Sequence, residues 1–236
     1  MKTELEINSR FCGPPDSGNG GYSCGVIANH IGRAAKVRLQ APPPLNVPLE
    51  IVHTSDGVEL RNGETIVGFG CANELNLTVP QAPSLERARH AETRYTGLHG
   101  HMFPGCFVCG PDREHGDGLR IFPGPVEPDN WSLLACTWNP TSDLLDAKGS
   151  IRDEYIWSAL DCPSYFGVVG QNVVPALLGE FELSILGDIA GGEPLIVWCW
   201  PIGVDGRKLY GGAALATAQG ELLAFAKGTW IELKNK

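Results

Sequence analysis

Two features of the sequence could carry chemistry: an aspartate in an apolar segment, and a glycine pair that follows an asparagine. Asp161 lies in a predicted apolar helix. A buried carboxylate is costly, and desolvation raises its pKa toward the range of a general base. Asn19, Gly20 and Gly21 precede a second apolar helix. The unpaired N–H groups at a helix start can polarise a carbonyl oxygen, and glycine lets that oxygen approach closely.

Each feature also has a purely structural interpretation. Asp161 suits a capping or internally hydrogen-bonded carboxylate, and the segment from Asn19 suits a turn that caps a helix. The neighbouring side chains that we predict to contact substrate are Tyr22, Trp157 and Ser164. Tyr22 fits packing as well, and Ser164, three residues after Asp161, is placed to orient a water molecule.

Cysteines and histidines cluster in the middle of the chain. Cys106 and Cys109 form a Cys-x-x-Cys pair, and His99, His101 and His115 lie nearby in sequence. Two thiolates and imidazoles can bind zinc tetrahedrally, but one such pair without a second equally fits a turn of buried thiols. We expect no metal and no cofactor, and zinc at Cys106 and Cys109 stays open.

The charge balance restricts the class of partner. The 236 residues include 18 Lys and Arg against 27 Asp and Glu, a formal net charge of −9. Nucleic acids and anionic membranes are therefore unexpected partners, because both attract basic surfaces. The sequence shows neither a signal peptide nor an apolar run long enough to span a membrane. We expect a cytoplasmic protein with reduced cysteines.

The two halves of the chain show the same pattern of strand, helix and antiparallel meander. The helices are predicted at 22–33 and 154–169, and both are apolar on most faces, so each should be enclosed by a sheet. The segment 211–218 has little side-chain bulk, which indicates that something packs closely on that strand. The strands are predicted at 5–11, 35–39, 49–53, 57–61, 65–73, 132–138, 179–186, 194–202, 208–218 and 221–233.

A polar segment at 84–101 separates these halves. It predicts a short solvated helix that leads into a linker. The predicted organisation is an N-terminal domain at 1–95, a linker with the Cys-x-x-Cys pair at 96–125, and a C-terminal domain at 126–236. The fold class is α+β, with an antiparallel sheet wrapped around a central helix in each domain.

At this point the sequence resembles the double-hotdog acyl-CoA thioesterases. Segments 11–31, 106–122 and 155–162 carry the resemblance, together with the two meanders. It implies two tandem hotdog domains that hydrolyse an acyl-CoA thioester, with coenzyme A arriving as part of the substrate. It also implies a homodimer formed through sheet surfaces.

The resemblance further implies a division of labour between the halves. Asp161 falls at the place of the family's acid, whereas Ala28 occupies the matching position in the first half. The Asn-Gly-Gly entry occurs only in the first half, so a single complete site is expected. Tyr165 and Phe166 are bulky where smaller residues would leave more room for an acyl chain.

Other functions stay open at the level of sequence. A hotdog dehydratase or hydratase would use a histidine near the helix, and the helices offer only His30. A module that binds acyl groups or acyl-CoA without turnover would use the same cavity. A scaffold that presents sheet surfaces to a partner is the third alternative, since fold alone does not select a function.

Overall fold

The computed structural model describes residues 2–234, and these contain one antiparallel sheet of eleven strands and three α-helices. Met1 and residues 235–236, at the outer ends of the two predicted domains, lie outside the described residues. The helices are α1 Gly20–Ala28, α2 Leu85–Glu92 and α3 Asp153–Val169. The strands are β1 Lys2–Glu6, β2 Ala34–Leu39, β3 Pro48–His53, β4 Val58–Asn62, β5 Thr65–Ala72, β6 Gly124–Glu127, β7 Asn130–Trp138, β8 Ala176–Ile185, β9 Leu195–Asp205, β10 Lys208–Ala216 and β11 Leu222–Glu232.

The strand order repeats between the halves of the chain. The sheet runs β1-β3-β4-β5-β2-β8-β11-β10-β9-β7-β6. Outward from the centre, β2-β5-β4-β3-β1 on one side corresponds to β8-β11-β10-β9-β7 on the other. The halves meet where β2 and β8 pair, from Ala34 opposite Ser184 to Arg38 opposite Glu180. The predicted sequence of strand, helix and meander is therefore present in both halves.

Both long helices lie on the same face of the sheet. Helix α1 contacts β2 and β5, α3 contacts β9 and β10, and the two helices contact each other. Strand β10 has almost no side-chain bulk beneath α3: a Cβ on Gly211 would overlap the backbone of Ser164. The prediction that something packs closely on segment 211–218 is confirmed.

The opposite face of the sheet is covered in the second half. The buried part of strand β9, residues 195–200, is apolar because its side chains alternate between two cores. Val197 faces the helices, and Trp198 packs with Ala88 of α2 on the other side. The Trp198 indole N–H donates to the carbonyl oxygen of Pro80, 3.1 Å away. The prediction of a solvated helix at 84–101 is thus wrong in part, since Ala88 and Ala91 are fully buried. The outer sheet surface proposed for dimerisation is covered here by the chain itself.

Two glycines set how closely α1 and α3 cross. Gly21 and Gly25 are one turn apart on α1, and both face α3. A Cβ on Gly25 would lie 2.7 Å from Glu154 Cα and 2.9 Å from Trp157 Cβ, so the helices touch where α1 has no side chain.

Helix α1 is shorter than predicted. It ends at Ala28 instead of residue 33, because the N–H groups of His30 and Ile31 donate to carbonyl oxygens three residues earlier instead of four. Gly32 has a φ of 144°, a conformation that favours glycine and stops the helix. None of the helices among residues 2–234 is long and apolar enough to cross a membrane.

The glycine contact gives a stability prediction. Alanine normally stabilises a helix relative to glycine by up to about 1 kcal/mol. We expect Gly25→Ala to lower the free energy of unfolding instead, by about 1–3 kcal/mol, because the added methyl overlaps α3. Urea denaturation measures the change.

The matched control is Gly203→Ala, since a Cβ at that position meets nothing within 4 Å. It should change the free energy of unfolding by less than about 0.5 kcal/mol. Equal effects of the two substitutions would contradict the close helix crossing.

Candidate functional site

A cavity of about 790 Å³ opens between the start of α1, the middle of α3 and the segment that contains the Cys-x-x-Cys pair. Asn19 and Gly20 line it from the first half, and Asp161 and Cys162 line it from α3. The two features that the sequence marks as chemically capable are therefore brought to one cavity wall.

Asp161 is the buried acid of this wall. Its side chain is 1% exposed, and Asn19 Nδ2 donates to its Oδ2 over 2.8 Å. The Oδ1 atom has no hydrogen-bond partner among the described residues. Burial raises the pKa of Asp161 to about 7, although hydrogen bonds from the Gly21 N–H and the Asn19 amide oppose the rise and the nearby Cys106 adds to it.

Asn19 uses both ends of its side-chain amide. Its Oδ1 accepts the Tyr22 N–H at 2.9 Å and so caps α1, while its Nδ2 holds Asp161. This double use fixes the orientation of the amide, and it explains why a polar side chain that is 2% exposed is tolerated. Asn19 thus hydrogen-bonds the start of α1 in the first half and the Asp161 carboxyl group in the second half, and it ties the two halves of the chain to each other.

The helix-start N–H groups are divided among different acceptors. Tyr22 N–H is capped by Asn19, and Gly21 N–H faces the Asp161 carboxyl. In the described part of the chain, this leaves the N–H of Gly20, on the cavity wall, for a ligand. The Gly21 N–H thus lies beside the acid, and the contact of Gly21 with a substrate oxygen stays a prediction.

Two of the predicted substrate contacts, Tyr22 and Trp157, lie away from the cavity wall. Tyr22 stacks on Phe11 with ring centroids 4.1 Å apart, and Trp157 packs edge-on against Phe181 at 5.6 Å. Neither side chain lines the cavity, because each faces the core beneath α1 and α3. Both side chains therefore pack within the core.

Ser164 is likewise engaged within the protein. Its hydroxyl donates to the Asp161 carbonyl oxygen at 2.7 Å and accepts the Trp230 indole N–H at 2.9 Å. The hydroxyl therefore holds the helix against β11, and its predicted role of orienting a water molecule stays a prediction.

The rest of the cavity lining was predicted from the sequence only in part. Tyr165 and Phe166 line the cavity as their position implied, and Leu178 and Trp230 complete the wall beyond them. Leu178 and Trp230 come from strands β8 and β11, whose apolar side chains carry no local sign that one of them faces a cavity. His101, by contrast, belongs to the histidine cluster that the sequence marks, and it reaches the wall.

Three cysteines converge beside the acid. The sulfur atoms of Cys106, Cys109 and Cys162 lie within 4.8 Å of one another, and all three residues are buried. The Sγ atoms of Cys106 and Cys162 are 3.8 Å apart, so the two residues are free thiols in contact and not a disulfide. All eight cysteines are free in the structure.

Comparison with solved structures identifies the fold. The tesB protein of Mycobacterium avium subsp. paratuberculosis aligns over 99% of this chain and 93% of its own, with a TM-score of 0.66 and 11% identity. An acyl-CoA thioesterase II, TesB2, of Mycobacterium marinum aligns over 100% and 94%, with a TM-score of 0.63 and 10% identity. A protein of Alicyclobacillus acidocaldarius with a hot dog fold aligns over 100% and 94%, with a TM-score of 0.54 and 11% identity.

These likenesses span essentially the whole chain, so the predicted hotdog fold is confirmed. No family model and no curated protein matches the sequence. At 10–11% identity the likeness establishes the fold alone.

The shared hydrogen bonds of Asn19 give a second stability prediction. Asn19→Ala removes a helix cap and also a donor to a buried carboxyl group. We expect it to lower the free energy of unfolding by about 2–4 kcal/mol. Ser84→Ala removes only the cap of α2, where Ser84 accepts the Arg87 N–H, and should cost about 1 kcal/mol. Equal losses in urea denaturation would mean that the bond to Asp161 contributes nothing.

Proposed function

We propose that this protein is a thioesterase that hydrolyses an acyl-CoA, with Asp161 as the general base. The observation that carries the proposal is the unpartnered Oδ1 of Asp161, buried at the wall of a cavity that also exposes the start of α1. The thioesterase names of structures with the same fold support this choice of reaction.

The architecture that we propose is two tandem hotdog domains at 1–95 and 126–236, joined by a linker at 96–125. The strand order shared by the two halves supports this division. Each domain would contribute one half of its sheet and one enclosed helix, and the β2–β8 pair would join the two domains.

The chemistry follows from the two oxygens of Asp161. Oδ2 is held by Asn19, so the carboxyl group cannot rotate freely, and Oδ1 is left to take a proton from water as that water attacks the thioester carbonyl. Negative charge then develops on the carbonyl oxygen. The N–H of Gly20 at the positive end of α1 would stabilise it, and one such donor is worth about 100-fold or more in rate.

Only one such site would form in the chain. Helix α3 begins with Arg152 as its N-cap, which provides no side-chain cap, and Asp153 and Glu154 occupy its first turn. Acidic residues at a helix start repel a developing oxyanion, and Ala28 stands where the first half would need an acid. His30, the histidine considered for a hydratase, packs against His53 and does not line the cavity.

Replacement of Asp161 tests the proposal. Asp161→Asn keeps the size of the side chain and an oxygen acceptor for Asn19, but it removes the base. We expect kcat for release of free thiol to fall by about 100-fold or more, across acyl-CoAs of different chain length and polarity, with the thermal midpoint of unfolding nearly unchanged.

The control is Asp129→Asn, an exposed acid on the turn between β6 and β7, which should keep wild-type kcat. An Asp161→Asn variant as active as wild type removes Asp161 from the mechanism. Tight binding of acyl-CoA by the wild type, without release of thiol, would support an acyl-binding module instead.

A further inference from the structure

We propose that Cys106, Cys109 and Cys162 form a binding site for one thiophilic divalent cation, of which zinc is the natural candidate. The site lies beside the proposed hydrolytic acid, but it uses side chains to which the thioesterase mechanism assigns no role. It would fasten the Cys-x-x-Cys turn of the linker to helix α3.

The turn that carries two of the thiols is held rigidly from both sides. Cys106 N–H donates to the Phe103 carbonyl, and Gly110 N–H donates back to the Cys106 carbonyl, each over 2.9 Å. Between the two cysteines, Phe107 and Val108 are fully buried in the core. The two sulfurs are therefore presented by a fixed loop, and Cys162 meets them from a helix more than fifty positions later in the chain.

The spacing of the sulfurs suits a tetrahedral ion. Zinc with Zn–S bonds of about 2.3 Å holds neighbouring thiolates about 3.8 Å apart. The Cys106–Cys162 separation is 3.8 Å, and no pair within the cluster exceeds 4.8 Å, so a contraction of less than about 1 Å would complete the set. Three thiolates also select soft metals over magnesium or calcium, which prefer oxygen ligands.

The fourth position is open to the cavity. His101 brings Nε2 to 3.4 Å from Cys109 Sγ, but its Nδ1 accepts the Phe103 N–H at 2.9 Å. A neutral imidazole that accepts at Nδ1 carries its proton on Nε2, so His101 donates to the sulfur and offers no lone pair to a metal. Cys106, Cys109 and Cys162 all line the cavity, so water would fill the remaining position.

Metal content and cobalt spectroscopy test the site on the full-length protein. Protein purified under reducing conditions without chelators should contain about one zinc per chain by elemental analysis. Exchange with Co²⁺ should produce sulfur-to-cobalt charge-transfer bands and the intense visible bands of a tetrahedral ion. Neither readout depends on turnover, so failure of this site and failure of the proposed hydrolysis are distinguishable.

Variants locate the ligands. Cys162→Ser and Cys106→Ser should each weaken Co²⁺ binding by at least about 10-fold, with folding checked by circular dichroism. Cys199→Ser is the matched control, because Cys199 is fully buried but outside the cluster, and it should bind Co²⁺ like the wild type. Cys71→Ser is a second control at a half-buried thiol in case the Cys199 variant does not fold.

Several results would overturn the site. Reduced wild-type protein that carries no zinc and develops no thiolate–cobalt bands has no metal site here. The same holds if the Cys106 and Cys162 variants bind Co²⁺ as the wild type does. Loss of binding in His101→Gln would overturn the open fourth position and make that histidine a ligand.

Discussion

The structure depends on a contact between two helices at a place where one of them has no side chains. Gly21 and Gly25 allow α1 to lie directly on α3, and this approach puts the Asp161 carboxyl group under the first turn of α1. The partial positive charge of that turn and the Asn19 amide offset part of the cost of burying the acid. The cost that remains is visible in a pKa of about 7 for Asp161.

The contact also explains how a polar group is kept in an otherwise apolar interior. One carboxyl oxygen is satisfied and the other is not, so the acid is held in place yet keeps an acceptor for a ligand. Ser164 and Trp230 secure the same stretch of α3 from the opposite side, against β11. The helix is therefore fixed to both neighbours, and the position of Asp161 follows from rigid elements and not from a loop.

Much of the fold could be predicted from the sequence, because strongly periodic apolar segments leave little choice of element. The strands of both meanders and the extent of α3 agree closely with prediction. The secondary-structure predictions fail where the local sequence pattern and the tertiary packing favour different structures. Helix α2 is polar in sequence, yet it packs on the sheet through two buried alanines. Strand β6 lies in a proline-rich segment, which predicts no strand.

The site was predictable only in part. Asp161 was recognisable as an acid in an apolar helix, and Asn19 as the residue before a glycine pair at a helix start. Their hydrogen bond to each other depends on tertiary structure. The side-chain directions of Tyr22, Trp157 and Ser164 were not recognisable, since neighbours on a helix that is apolar all round give no sign of which face meets a cavity. The meeting of Cys162 with the Cys-x-x-Cys turn depends on tertiary structure, and no spacing in the sequence encodes it.

The pairing of β2 with β8 has a consequence for how the cavity responds to dilution. The acid and the helix start that faces it belong to different halves, yet the halves share one backbone and one sheet. Were they separate chains, the cavity would exist only above the concentration at which they associate. Covalent linkage replaces that encounter with a high effective local concentration, so the assembled cavity persists in a single molecule however scarce the protein is.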